Sequence, residues 1–203
     1  MMLRDTVLQE AVNLVKTEGL ADFNEQNILV RLDISQATFK ELFSGMEDMV
    51  NKVVMYDLEN QKKEHAKAFA HSKNAVEDIM FLLQDGIESV KKTNPVYYKQ
   101  LQEKYPKAWA ISLEHLNSYS YPQVHDVINR GVLEGSFRRD VNIQLVTKII
   151  LEQLNMMLNP AIFPPERYNL AEVFRSIYLY YVRGICTESG SKLAEEYFTR
   201  NRL

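Results

Sequence analysis

The sequence predicts an all-α chain, with a small N-terminal three-helix domain followed by a larger helical domain. Three observations predict it. Apolar residues recur at three- and four-residue spacing through most of the 203 residues, and no strand-like alternation is sustained. Seven glycines and six prolines are few, which suits a mostly helical protein. Helix-start signatures, Ser or Asn with Glu three residues on, stand ahead of apolar runs at Ser44/Glu47, Asn74/Glu77 and Asn169/Glu172.

Taken in order, the first helix is predicted over Leu3 to Thr17, with Val7, Leu8, Ala11, Leu14 and Val15 on one face, and Gly19 as its C-terminal cap. Asn24 caps a second helix whose stripe is Ile28, Leu29 and Leu32. Asp33-Ile34-Ser35 is long enough only for a turn, and Ser35 caps the third helix at once. That helix is expected to turn Ala37, Phe39, Leu42 and Phe43 inward and to leave Gln36, Thr38 and Lys40 outward. Ser44 with Glu47 reads as a capping box opening a long helix. Its apolar stripe runs through Met49, Val50, Val53 and Tyr56, then gives way to Gln61-Lys62-Lys63-Glu64-His65. The domain boundary is placed at its start, giving segments 1–48 and 49–203.

The second segment continues with helices. Asn74 opens one carrying Val76, Ile79, Met80, Leu83, Ile87 and Val90. Asn94-Pro95 reads as an N-cap with proline at the first helical position. Pro106 restarts a helix toward Trp109 and Leu116, and Tyr121-Pro122 opens another with Val124, Val127 and Ile128. Gly131 to Asp140 is rich in turn residues. From Val141 to Leu158 a wide face is apolar, a Pro-rich loop follows, and Asn169 caps a helix reaching Ile185. A short last helix is expected over Ser191 to Arg200.

Two short helices crossing over a three- to four-residue turn form the arrangement that sets a second helix into the DNA major groove. The residues here resemble one family's version of it. Ile28-Leu29-Val30-Arg31-Leu32-Asp33-Ile34-Ser35-Gln36-Ala37-Thr38-Phe39 resembles the helix-turn-helix of the tetracycline-repressor (TetR) family, and Phe43 with Glu47-Asp48-Met49 resembles its ending. Arg4, Leu8, Ala11, Leu14 and Gly19 fall where that family's first helix has similar residues. Arg130-Gly131-x-x-Glu134-Gly135-x-Phe137-Arg138-x-Asp140 resembles its turn before the last long helices. The chain departs from the pattern at Asp33, Lys40, Glu41 and Met46, where the family usually has Gly, an aromatic, a non-acidic residue and Lys.

The resemblance implies a transcriptional regulator, a ligand-released homodimeric repressor of a palindromic double-stranded DNA operator. Asn24, Ser35, Gln36, Thr38 and Lys40 are the expected DNA-binding residues. Amide side chains read adenine, threonine methyls meet thymine, and hydroxyls and cations meet phosphate. Charge argues the other way. Residues 1–50 hold four basic residues (Arg4, Lys16, Arg31, Lys40) against nine acidic ones, a net of −5, within a chain of net charge −3. Phosphate neutralisation dominates DNA affinity. The alternative is therefore a helical dimer that keeps the fold without specific DNA binding and acts through a small ligand or a protein partner.

A small-molecule effector of unknown identity is expected among the middle aromatics, with Met80, Tyr97, Tyr98, Tyr105, Trp109, His115 and Tyr119 as candidate ligand-binding residues. Tyr and Trp combine apolar walls with a polar handle. The same residues would also serve as ordinary core. The broad apolar faces of the two late helices suggest a partner surface, with Ile149, Ile150, Leu154, Phe174, Ile177 and Tyr181 at a homodimer interface. In the family such helices pair as a four-helix bundle, and a twofold dimer sets recognition helices about 34–36 Å apart.

No catalytic residue, metal site or cofactor is expected. His65, His71, His115 and His125 lack metal-ligand spacing, lone Cys186 lies in an apolar stretch, and no phosphate-binding Gly loop or nucleophile elbow occurs. No run of about 18 apolar residues exists to cross a membrane, and the N-terminus lacks a signal-peptide core. The expected location is cytoplasmic.

Overall fold

A computed structural model describes residues 3–201, and these form two compact units of helices. The first takes the described residues through Lys63 together with Lys92–His115; the second takes Glu64–Lys91 and the described residues from Leu116 onward. Among the described residues there is no strand, only an isolated bridge between Phe137 and Cys186. No helix is long and apolar enough to cross a membrane among them.

The first unit begins with α1 (Leu3–Glu18), α2 (Glu25–Arg31) and α3 (Gln36–Leu42). The expected caps form: Asn24 Oδ1 accepts from the Asn27 N–H at 3.1 Å, and Ser35 Oγ accepts from the Thr38 N–H at 3.0 Å. Gly19 ends α1 at φ +80°, where a side chain is strained. Val7, Leu8, Ala11, Val12 and Val15 of α1 bury against Ile28, Phe39, Phe43 and Met49. Phe39 and Phe43, one turn apart with ring centroids 5.4 Å from each other, fix which side of α3 faces inward. Ala37, expected inward, is exposed, because two residues along a helix turn it about 200° from Phe39.

The long α4 (Met46–His71) starts differently from its predicted capping box. The Ser44 N–H donates to Asp48 rather than Glu47, at 2.9 Å. Lys52 also donates to that carboxylate, at 2.8 Å, and to the Leu42 carbonyl at the end of α3. The Lys52 ammonium and the Ser44 N–H hold the Asp48 carboxyl below the usual range.

The first unit extends well beyond residue 48. Its core includes Val50, Val53 and Val54 of α4 and, beyond α5 (Ala75–Lys92), also Tyr97 and Leu101 of α6 (Tyr97–Lys104) and Ala108 of α7 (Pro106–His115). Gln100 Oε1 accepts from the Leu20 N–H, and the Asn94 N–H donates to the Lys16 carbonyl, both at 2.5 Å. The Asn94-Pro95 pair forms a turn, not a helix start. Asn94 Oδ1 accepts from the Val96 N–H, and α6 begins at Tyr97.

The second unit holds the last residues of α4, then α5 (Ala75–Lys92), a π-helical turn (Leu116–Ser120), α8 (Tyr121–Glu134), α9 (Ile143–Met157), α10 (Leu170–Ile185) and α11 (Glu188–Asn201). Ile79, Met80, Leu83, Ile128, Ile150 and Phe174 are central to its core. The final helix starts three residues before its predicted position, because Thr187 caps it: its Oγ1 accepts from the Gly190 N–H at 3.1 Å.

Five residues of the Arg130–Phe137 segment have a structural reason. A β-carbon on Gly131 would overlap the fully buried Phe137 ring. Gly135 ends α8 at φ +78°. Glu134 accepts from the Ala75 N–H at the start of α5, at 3.0 Å. Arg130 forms a close ion pair with Asp78, which has no solvent exposure. The strand-like residues after Gly135 are tied to the α10–α11 junction: Arg138 N–H donates to the Ile185 carbonyl and Thr187 N–H to the Ser136 carbonyl. A β-carbon on Gly190 would collide with that same carbonyl.

Candidate functional site

The surface of α3 opposite Phe39 and Phe43 carries Gln36, Ala37 and Lys40, all exposed. Thr38 is half-buried at the side, and its Oγ1 lies 2.9 Å from Ser35 Oγ. Asn24 and Ser35 are exposed, but each has an acceptor oxygen engaged in its cap. Of the five expected DNA-binding residues, Gln36 and Lys40 therefore stand on the exposed side of α3, while Asn24 and Ser35 cap α2 and α3.

Acidic neighbours also stand on this surface. Gln36 Nε2 donates to Glu25 Oε1 at 3.3 Å, a contact that residue spacing could not reveal because it joins α2 to α3. Arg31 pairs with Glu18. Lys40 takes part in no such pair among the described residues.

Asp33 sits in a backbone conformation that favours glycine. It lies at φ +47°, the left-handed region, between α2 and α3. Asp tolerates that region better than most residues but not as well as glycine. Asp33→Gly is expected to raise stability by about 0.5–1 kcal/mol, or about 2–3 °C in thermal midpoint for a chain of this size.

The candidate ligand-binding residues do not converge. Tyr97, Tyr98, Tyr105, Trp109 and His115 belong to the first unit, whereas Met80 and Tyr119 belong to the second. Tyr97 is buried in the core, and Tyr98, Tyr105 and Trp109 pack against that core. Burial pushes the Tyr97 hydroxyl well above its usual range and raises Tyr105 as well. His115 is buried, and Met80 is fully enclosed in the second core. Tyr97, Tyr98, Tyr105 and Trp109 thus contribute to the core of the first unit, and Met80 to that of the second.

Tyr119 lines an open pocket. It stands on the π-helical turn beside this pocket of about 700 Å³. Ser118, Tyr121, Gln123, His125 and Asp126 line the same pocket, as does Gln144 of α9. Behind it lies a polar cluster. Gln123 Nε2 donates to the Tyr119 hydroxyl at 2.8 Å, and the same amide is 3.2 Å from His65 Nδ1. His65 Nε2–H donates to Asp85 at 3.1 Å. The rings of Phe69, Phe81 and Tyr119 surround the buried imidazole. Sequence reading placed His65 in a polar stretch; its burial arises from helices distant in the chain.

On the late helices, Ile150 and Phe174 are buried in the core of the second unit. Leu154, Ile177 and Tyr181 are half-buried and Ile149 is exposed. Leu145, Ile149 and Met156 line one side of α9, and Tyr180 stands out from α10. The exposed face lies one residue around from Ile150, a 100° step that decides core against surface.

No family model and no curated protein matches this sequence. Solved structures do share its fold. A TetR-family transcriptional regulator from Agrobacterium tumefaciens superposes with TM-score 0.70 at 15% identity, over 91% of this chain and 97% of that one. A TetR-family regulator from Streptomyces coelicolor gives TM-score 0.65 at 14% identity, over 90% and 95%. The ketosteroid transcriptional regulator KstR2 of Mycobacterium tuberculosis gives TM-score 0.57 at 18% identity, over 92% and 96%. The all-helical fold is thus that of TetR-family regulators along nearly the whole chain.

Proposed function

We propose that this chain is a DNA-binding transcriptional regulator: a homodimeric repressor that a small-molecule effector releases from a palindromic operator. The observation that carries the reading is the α2–α3 pair, which turns Phe39 and Phe43 into the core and leaves Gln36 and Lys40 on the outer face of α3. A helix held this way offers an amide for base edges and a cation for phosphate. The exposed stripe of Leu145, Ile149 and Met156 on α9 supports pairing with a second copy, which would present two recognition helices. The pocket beside Tyr119 supports an effector site in the second unit.

The test is fluorescence anisotropy with DNA flanking the chain's own gene against scrambled DNA, at two salt concentrations. Selective, salt-weakened binding is the expected result. Lys40→Ala should weaken all sequences alike and reduce the salt slope by about 1. Gln36→Ala should cost about 1–3 kcal/mol and relax the preference at one base pair.

The acidic surface favours a second reading, in which the fold is kept without specific DNA recognition. Residues 1–50 carry −5, Gln36 is held by Glu25, and Arg31 is engaged by Glu18. Equal affinity for flanking and scrambled DNA at low salt would select this reading.

A further inference from the structure

The pocket beside Tyr119 has a chemical character of its own. Tyr121 and His125, one turn apart on α8, stack with centroids 6.2 Å apart and planes 25° from parallel. With Tyr119 they give the pocket three ring systems. Asp126 is its one carboxylate, and no lysine or arginine lines it. Among the described residues Asp126 takes part in no ion pair, although Arg130 lies one turn along α8: that guanidinium is engaged with Asp78 and Glu134. At the back, the Gln123 amide is committed to Tyr119 and His65, so that wall offers shape rather than spare polar groups.

Two further observations point to a ligand rather than to packing. The pocket, about 700 Å³ and wide open to solvent, has room for a small molecule. Ser118 and Tyr119 are presented by a π-helical turn, a rare wide turn found frequently at functional sites. An anion would meet the Asp126 carboxylate with no cation to offset it. A neutral apolar ligand would meet the ring faces but leave the solvated Asp126 carboxylate unused. An organic ammonium ion satisfies both features, its charge against the carboxylate and its alkyl groups against ring faces.

We propose that the pocket formed by Tyr119, Tyr121, His125 and Asp126 binds an organic ammonium ion with an apolar substituent. As an effector, this ligand rests on the regulator reading above; as a binding event, it does not.

The test is isothermal titration calorimetry on the full chain with benzyltrimethylammonium, benzyl alcohol and benzoate as probes. The cation is expected to bind at least about tenfold more tightly than benzyl alcohol, and benzoate not at all. Asp126→Asn, at an exposed position, should weaken the cation about fivefold, and Tyr121→Leu by a similar factor, with thermal midpoints checked for each variant. Benzyl alcohol or benzoate binding as tightly as the cation would overturn the proposal. So would unchanged affinity in Asp126→Asn, or no binding of the cation at millimolar concentration. DNA anisotropy on the same preparation reads the regulator proposal separately. Selective DNA binding without cation binding overturns only the ligand assignment. Cation binding without DNA selectivity supports the ligand assignment and overturns the regulator.

Discussion

Arg130→Met is expected to destabilise the chain by about 3 kcal/mol. Asp78 is fully buried on α5, and the Arg130 guanidinium is its counter-charge. Removing the cation leaves a carboxylate in an apolar core with nothing to offset its lost hydration. The cost is much larger than that of an ordinary exposed ion pair, even though the arginine itself is 46% exposed. Urea unfolding should show a lower midpoint at unchanged slope. Combining Arg130→Met with Asp78→Leu should recover most of the loss, because a well-packed apolar pair replaces a buried charge. A loss within about 0.5 kcal/mol for the single variant would show that the pair carries no structural weight.

Phe137→Ala should cost about 4 kcal/mol. Its ring has no exposure and packs where Gly131 lacks a side chain. The backbone around it is held from both sides: the Phe137 N–H donates to the Gly131 carbonyl, and Arg138 bonds to Ile185. With the segment pinned, the walls cannot collapse, and a cavity remains. Gly131→Ala tests the same fit from the other side. It should cost about 1–3 kcal/mol because the ring has no free direction in which to move. The two losses should not add, since both act on one contact. A double variant as unstable as the sum of the singles would argue that Gly131 serves α8 rather than the ring.

Local signals located most of the helices because caps and stripes act over a few residues. Asn24, Ser35, Asn74 and Asn169 all accept the bonds their positions predicted. Competing local chemistry moved other boundaries. Asp48 took the bond expected of Glu47, Asn94 turned the chain before α6, and Thr187 started α11 early. The outer face of α3 was legible for the same reason as the caps, since Phe39 and Phe43 at four-residue spacing leave Gln36 and Lys40 outside. The Gln36–Glu25 contact was not, because it depends on how α2 meets α3.

The candidate ligand residues mark the limit of such reading. Six of them are aromatic rings, and ring content alone does not distinguish a cavity wall from a core. Residues within a short span of sequence fell into different units, so Tyr97 became core while Tyr119 came to line a pocket. The late helices show the same limit on a smaller scale: Ile149 and Ile150 are adjacent in sequence, yet one is exposed and the other buried.

By itself the sequence determined the helical class, the turn that links α2 to α3 and the outward placement of Gln36 and Lys40, but not that of Ala37. All of these rest on hydrogen bonds and side-chain spacing within a few residues. The tertiary structure alone decided the extent of the first unit, the burial of His65 and Asp78, the exposed side of α9 and the composition of the pocket. Those depend on which distant helices meet, and burial and desolvation belong to that meeting rather than to any residue taken alone.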